Sequence, residues 1–128
     1  METIEYFSIP KFEKDFKRLQ KRFKTLEEDF ENMKKAAIEV YHLRDVKTFA
    51  VLPIEGFCGQ DYLSMKVKKM TCKSLKGKGV QSGLRVIYVF KRKENSVTFI
   101  EMYYKQDQEN EDKNRLSDFI KNIGGSRN

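Results

Sequence analysis

Residues 84–90, LRVIYVF, carry apolar side chains at six of seven consecutive positions, and Arg85 is the exception. A strand with one wet face alternates apolar and polar residues, so a run that is apolar on both faces belongs in the middle of a sheet. The rest of the chain must supply its neighbours. YLSMKVKKM, 62–70, does alternate, with Leu63, Met65 and Val67 on one face and Ser64, Lys66 and Lys68 on the other. VTFIEMYYK, 97–105, is rich in β-branched and aromatic residues, and Glu94-Asn95-Ser96 joins it to the central run tightly enough for a hairpin. IEYFS, 4–8, reads as a short first strand.

Helical spacing dominates between these strands. Ser8 is a candidate N-cap and Pro10 suits a first helical turn, where its missing N–H would have no partner anyway. Phe12, Phe16, Leu19 and Phe23 follow at spacings of four, three and four. Thr25 and Glu28 have the spacing of a capping box, which starts a second helix with the stripe Leu26, Phe30, Met33, Ala37 and Tyr41. A last helix over 109–123 carries Leu116, Phe119, Ile120 and Ile123 and stops at Gly124-Gly125. Periodicity fails from 42 to 61, where Pro53, Gly56 and Gly59 argue for an irregular connection.

The order β-α-α-β-β-β-α describes an α+β domain: a small antiparallel sheet, an N-terminal helical hairpin packed on one face, and a C-terminal helix. At 128 residues one domain spanning 1–128 is expected. Charged residues are 35% of the chain and mean hydropathy is −0.69, yet 39% is hydrophobic, which suits a polar-surfaced globular protein. No apolar run approaches a membrane span and METIEYFSIP lacks the regions of a secretory signal, so a cytoplasmic address without membrane partners is expected. Cys58 and Cys72 are too few for a disulfide framework. With His42 as the sole histidine a zinc site lacks ligands, and no metal or other cofactor is expected.

Charge is concentrated. Between Lys66 and Lys93 lie ten basic residues and no carboxylate, more than the whole net charge of +7. Such a segment favours a polyanion or an acidic protein partner, or else forms a solvated lysine face. Its loop, KGKGVQSG, has glycines at 77, 79 and 83, but it feeds a strand and lacks the Gly-Lys-Ser/Thr ending of a P-loop. Arg85 is the sharper feature. A guanidinium in an apolar run either faces solvent or a partner, where its donor fork matches phosphate oxygens, or pairs at the strand end with a carboxylate such as Glu101.

The segment SIPKFEKDFKRLQKRF, the LSMKVKKM strand, the SGLRVIYVF strand and FIEMYYK, in that order, resemble the RelE/ParE superfamily of toxins from bacterial type II toxin–antitoxin pairs. The resemblance implies, for the RelE-like branch, a metal-independent, ribosome-dependent endoribonuclease that cuts mRNA by attack of the ribose 2′-hydroxyl on the adjacent phosphate. The implied partners are a cognate antitoxin, mRNA and the ribosome. By position, Arg85, Lys66, Lys68 and Lys105 match the family's basic constellation, and Tyr104 or its neighbour Tyr103 is placed to hold a nucleotide. Lys69, Lys73, Lys76, Lys78 and Lys91 are the expected RNA-binding surroundings. No histidine ends the last strand, so a lysine would serve as base; that requires a pKa lowered from ~10.4 by desolvation or neighbouring positive charge, for which Lys66, Lys68 and Lys69 are clustered. A ParE-like inhibitor of DNA gyrase and a non-catalytic RNA- or ribosome-binding module are the alternatives.

Overall fold

In the computed structural model, which describes residues 2–79 and 81–125, the elements are β1 (Glu5–Ser8), α1 (Pro10–Arg22), α2 (Leu26–Met33), a π-helical turn (Lys34–Ile38), α3 (Glu39–Leu43), β2 (Val51–Cys58), β3 (Tyr62–Val67), β4 (Leu84–Lys91), β5 (Ser96–Tyr104) and α4 (Lys113–Gly125). The α+β order expected from the sequence is present, with one strand added. The sheet is ordered β1-β5-β4-β3-β2, so the LRVIYVF run is its middle strand, antiparallel to β3 and β5. It is not wholly antiparallel, because β1 pairs in parallel with β5.

The added strand, β2, falls in the segment read as an irregular connection. It is an edge strand, where Pro53 can be accommodated despite lacking an N–H, and its register against β3 shifts between Pro53 and Cys58 around Gly56, whose φ is +86°. Only Val51 and Ile54 are buried along it. A bulged edge strand has no clean alternation to read.

Alternation along the central strands sorts side chains onto two faces. Met65, Val67, Leu84, Val86, Tyr88, Val97, Phe99, Met102 and Tyr104 pack under the helical hairpin with Phe12, Leu19, Leu26 and Phe30. Phe12, Phe30 and Phe99 form an aromatic centre with ring centroids 4.8–5.7 Å apart. On the other face Ile87, Val89, Ile100 and Tyr103 meet Leu116, with Phe119, Ile120 and Ile123 partly buried around them. The face opposite the helical hairpin thus carries α4 over part of its area.

Local signals were spent differently from the sequence expectation. Ile9, not Ser8, is the N-cap of α1, while Ser8 donates to Glu13. Thr25 precedes α2 but forms no capping box. Its Oγ1 donates to Asp29 and accepts from the Ser74 N–H at 3.0 Å, Thr25 N–H donates back to Ser74, and Glu28 pairs with Lys73. This set ties the basic loop to the hairpin. The π turn shifts the buried stripe from Met33 to Ile38, five residues on, so Ile38 replaces Ala37 in the core.

β5 outruns β1, which leaves the edge at 100–104 short of strand partners. Asp15, 5% exposed on α1, accepts the Met102 N–H at 3.2 Å, and Arg115 of α4 donates to Asp15 at 2.7 Å and to the Ile100 carbonyl at 3.0 Å. That edge is thereby closed by side chains.

Candidate functional site

β3, β4 and β5 bring the sequence's basic residues to one end of the α4-bearing face. Arg85 is paired with Tyr103 across the β4–β5 ladder, and one step beyond the Val67–Val86 pair the register brings Lys68 beside Arg85. One step beyond Leu84–Tyr104, Lys105 lies opposite Gly83 and donates its N–H to the Gly83 carbonyl at 2.8 Å. Gly83 is required there: its φ is +92°, and an added Cβ would sit 3.2 Å from the Tyr104 ring.

Around this point opens a cleft of about 640 Å³ lined by Arg85, Lys68, Lys69, Lys78 and Lys105 together with Phe49, Leu52 and the 81–83 turn. Among the described residues no carboxylate lines it, and none of its five cations forms an ion pair. Arg85 does not pair with Glu101. Among the described residues its guanidinium makes one hydrogen bond, a long one of 3.4 Å to the Leu84 carbonyl, while Glu101 accepts from the Asp112 N–H and from Gln108. Five cations facing one another without counter-charge make a field that an anionic chain would relieve.

The other expected residues are elsewhere. Lys66 is on the same face but is held by Glu111 at 2.8 Å, with side-chain exposures of 18% and 8%. Burial alone would lower the Lys66 ammonium, but hydrogen bonds with Glu111 and Tyr103 raise it above its ordinary range. Burial likewise pushes the Glu111 carboxyl up, and Lys66 outweighs it, leaving the carboxyl below its usual value. Lys66 is therefore held as a cation, contrary to the lowered value expected of a lysine base. Tyr103 shares this group, its hydroxyl 3.4 Å from Glu111, and burial raises its phenol more than Lys66 lowers it.

Tyr104 turns to the opposite face, packed edge-on against Phe23 with centroids 5.1 Å apart and with the Arg22 guanidinium over its ring. Of the two tyrosines only Tyr103 shares the face of Arg85. Lys73 pairs with Glu28 near the hairpin, Lys91 lies 5.8 Å from the Phe119 ring centroid at the far end of β4, and Lys76 is exposed in the loop outside the cleft. His42 and Cys58 are also committed: His42 Nε2 and the Tyr88 hydroxyl share a hydrogen bond of 2.8 Å, and Cys58 Sγ lies 3.7 Å from the carbonyls of Ile54 and Ser64.

Two participants escaped the sequence reading. Glu111 lies in an acidic stretch with nothing to mark it as the partner of a residue 45 positions away. Phe49 is 82% exposed at the cleft mouth; a lone aromatic in the aperiodic connection LRDVKTFA was the available signal.

No protein-family model and no curated protein matches this sequence. Its architecture does have a solved counterpart: a chain in the crystal structure of the archaeal RelE–RelB complex from Pyrococcus horikoshii OT3 superposes with a TM-score of 0.51, covering 81% of this chain and 97% of that one at 14% identity. The fold is RelE-like. At that identity the likeness concerns the path of the chain and leaves the site to be argued from its own residues.

Proposed function

We propose that this protein is the toxin of a toxin–antitoxin pair and acts as a metal-independent, ribosome-dependent endoribonuclease on mRNA. The observation that carries the reading is Arg85, which among the described residues has no ion pair and sits in a cleft without carboxylates between Lys68 and the end of β5. In cleavage by the ribose 2′-hydroxyl, negative charge grows on the phosphorane oxygens, and cations fixed beforehand around that position lower the barrier. Arg85 offers the donor fork for two of those oxygens, and Lys68 and Lys105 flank it. Of these two lysines, the one acting as base does so as the neutral amine, accepting the 2′-hydroxyl proton, and the other, as the ammonium, gives its proton to the 5′-oxygen; Lys66, held as a cation by Glu111, is left out of the base role. The RNA is followed outward by Lys69 and Lys78.

The RelE-like fold and the unbalanced basic surface also support an acidic antitoxin as partner, docking on the Lys66–Lys93 surface. A second reading, RNA or ribosome binding without cleavage, is favoured by one observation: among the described residues lining the cleft there is neither histidine nor carboxylate to act as base. One experiment separates the two. Purified protein is added to cell-free translation of a defined message, cut sites are mapped by primer extension, and an untranslated control and Arg85→Ala run alongside. Cuts that depend on translation and vanish in the variant support the ribonuclease. Ribosome binding without cuts under any condition sinks it in favour of the binding module, and neither cuts nor binding leads to a gyrase supercoiling assay.

A further inference from the structure

Phe49 has no core to join. It is 82% exposed, while its backbone is anchored beside the cleft: the neighbouring Ala50 carbonyl accepts the Lys68 N–H at 2.7 Å, and the Ala50 N–H donates to Thr48 Oγ1 at 3.2 Å. Phe49 and Leu52 line both the basic cleft and an adjoining pocket of about 460 Å³ that also holds Tyr41 and Pro53. Phe49 thus stands between the basic cleft and a mainly apolar pocket into which Lys47 also reaches, its backbone held in register with Lys68 through Ala50. A folded phosphodiester with an unstacked base needs this pairing of surfaces, cations for the phosphate and a π-face for the base.

We infer that Phe49 is the stacking platform for an unpaired base of single-stranded RNA whose adjoining phosphate is held by Lys68 and Arg85. The inference rests on RNA being the ligand of the cleft and names the conformation in which RNA binds. A duplex keeps its bases stacked and offers none to Phe49, so the cleft selects single strands.

The chain has no tryptophan, so Phe49→Trp places its single tryptophan, excited apart from the tyrosines, at the proposed contact. Binding is measured with a single-stranded 2′-O-methyl RNA, which cannot be cut by 2′-hydroxyl attack, and with inorganic polyphosphate, which has the charge but no bases. The expected result is that Phe49→Ala weakens RNA binding about tenfold or more and leaves polyphosphate binding unchanged, while RNA but not polyphosphate quenches the Phe49→Trp emission. Equal RNA affinity for the wild type and Phe49→Ala overturns the stacking role and leaves the RNA reading intact. An equal loss for both ligands overturns it as well, since Phe49 then acts through the loop. If the wild type binds polyphosphate but no RNA, the RNA reading falls and the stacking role with it.

Discussion

Lys66 and Lys68 lie two residues apart on the same face of the sheet, yet they belong to two regions with opposite electrostatic character. At Lys66 the lysine and the Glu111 carboxylate neutralise one another, and the Tyr103 hydroxyl hydrogen-bonds to that carboxylate, under the approach to α4. Around Lys68 five cations share a cleft that no carboxylate enters among the described residues. The first region resembles the interior of any small protein, where a charge is retained because it is matched. The second gains nothing for folding from its charges, and like charges crowded together cost stability. Residues of one type therefore divide into a set matched within the fold and a set left, among the described residues, without counter-charge.

The largest expected effect lies in the unmatched region. Arg85→Ala should lower cleavage by about 100-fold or more, the order found when one donor to a developing oxyanion is removed. Denaturant midpoints should barely move, because Arg85 forms no ion pair among the described residues. A variant that loses activity only in proportion to lost stability would erase the distinction between the regions.

The matched region should answer in stability. Glu111→Ala leaves Lys66 part-buried without its counter-charge and should cost about 1–3 kcal/mol in urea unfolding. The double variant Lys66→Ala/Glu111→Ala should recover part of that loss. Lys68→Ala and Lys105→Ala, in contrast, should be neutral or slightly stabilising; a loss like that of Glu111→Ala would place them in the structural set.

Acid sharpens the same contrast. The Glu111 carboxyl is held below its usual range, so its contribution is complete above the unfolded carboxylate value of 4.5 and is lost as pH falls through the folded value. Lys66, raised, keeps its share until pH climbs through its folded value above 10.5. The tie to α4 is therefore strongest from about pH 5 to 10. Protection of the amides along 111–120, measured relative to the intrinsic exchange rate at each pH, should fall in acid for the wild type and change less in Glu111→Gln, whereas among the described residues no carboxylate lines the cleft to respond in the same way.

The smallest effect is on salt dependence. If the cleft binds RNA, removing Lys68 or Lys105 should flatten the plot of log affinity against log salt by about 0.7 per residue, the value for single strands. Removing Lys66, already neutralised, should change that slope much less. Equal changes for all three would mean that Glu111 releases Lys66 on binding.

The fold was legible wherever one face of an element is consistently buried. The Phe12, Phe16, Leu19 and Phe23 stripe, the Leu63-Met65-Val67 alternation and the two-sided LRVIYVF run each report a regular environment, and each stands where its pattern placed it, with Phe16 and Leu63 only partly buried. β2 was illegible because a proline, a positive-φ glycine and a register shift remove the alternation. The capping signal at Thr25 marked the start of α2 correctly, while its hydrogen bonds went to Ser74 and Asp29, partners that no local pattern names.

The candidate site divides in the same way. By itself the sequence determined that a carboxylate-free basic segment surrounds an arginine in a central strand, because charge and alternation are properties of neighbouring residues. Tertiary structure alone decided which cations remain unmatched, that Tyr103 rather than Tyr104 shares the face of Arg85, and that Phe49 stands at the cleft mouth. Those outcomes depend on a carboxylate 45 positions from Lys66, on the register of β4 against β5, and on a loop pinned by the Lys68 amide. A charge becomes available or spent according to what folding brings beside it, and that proximity is not written in local order.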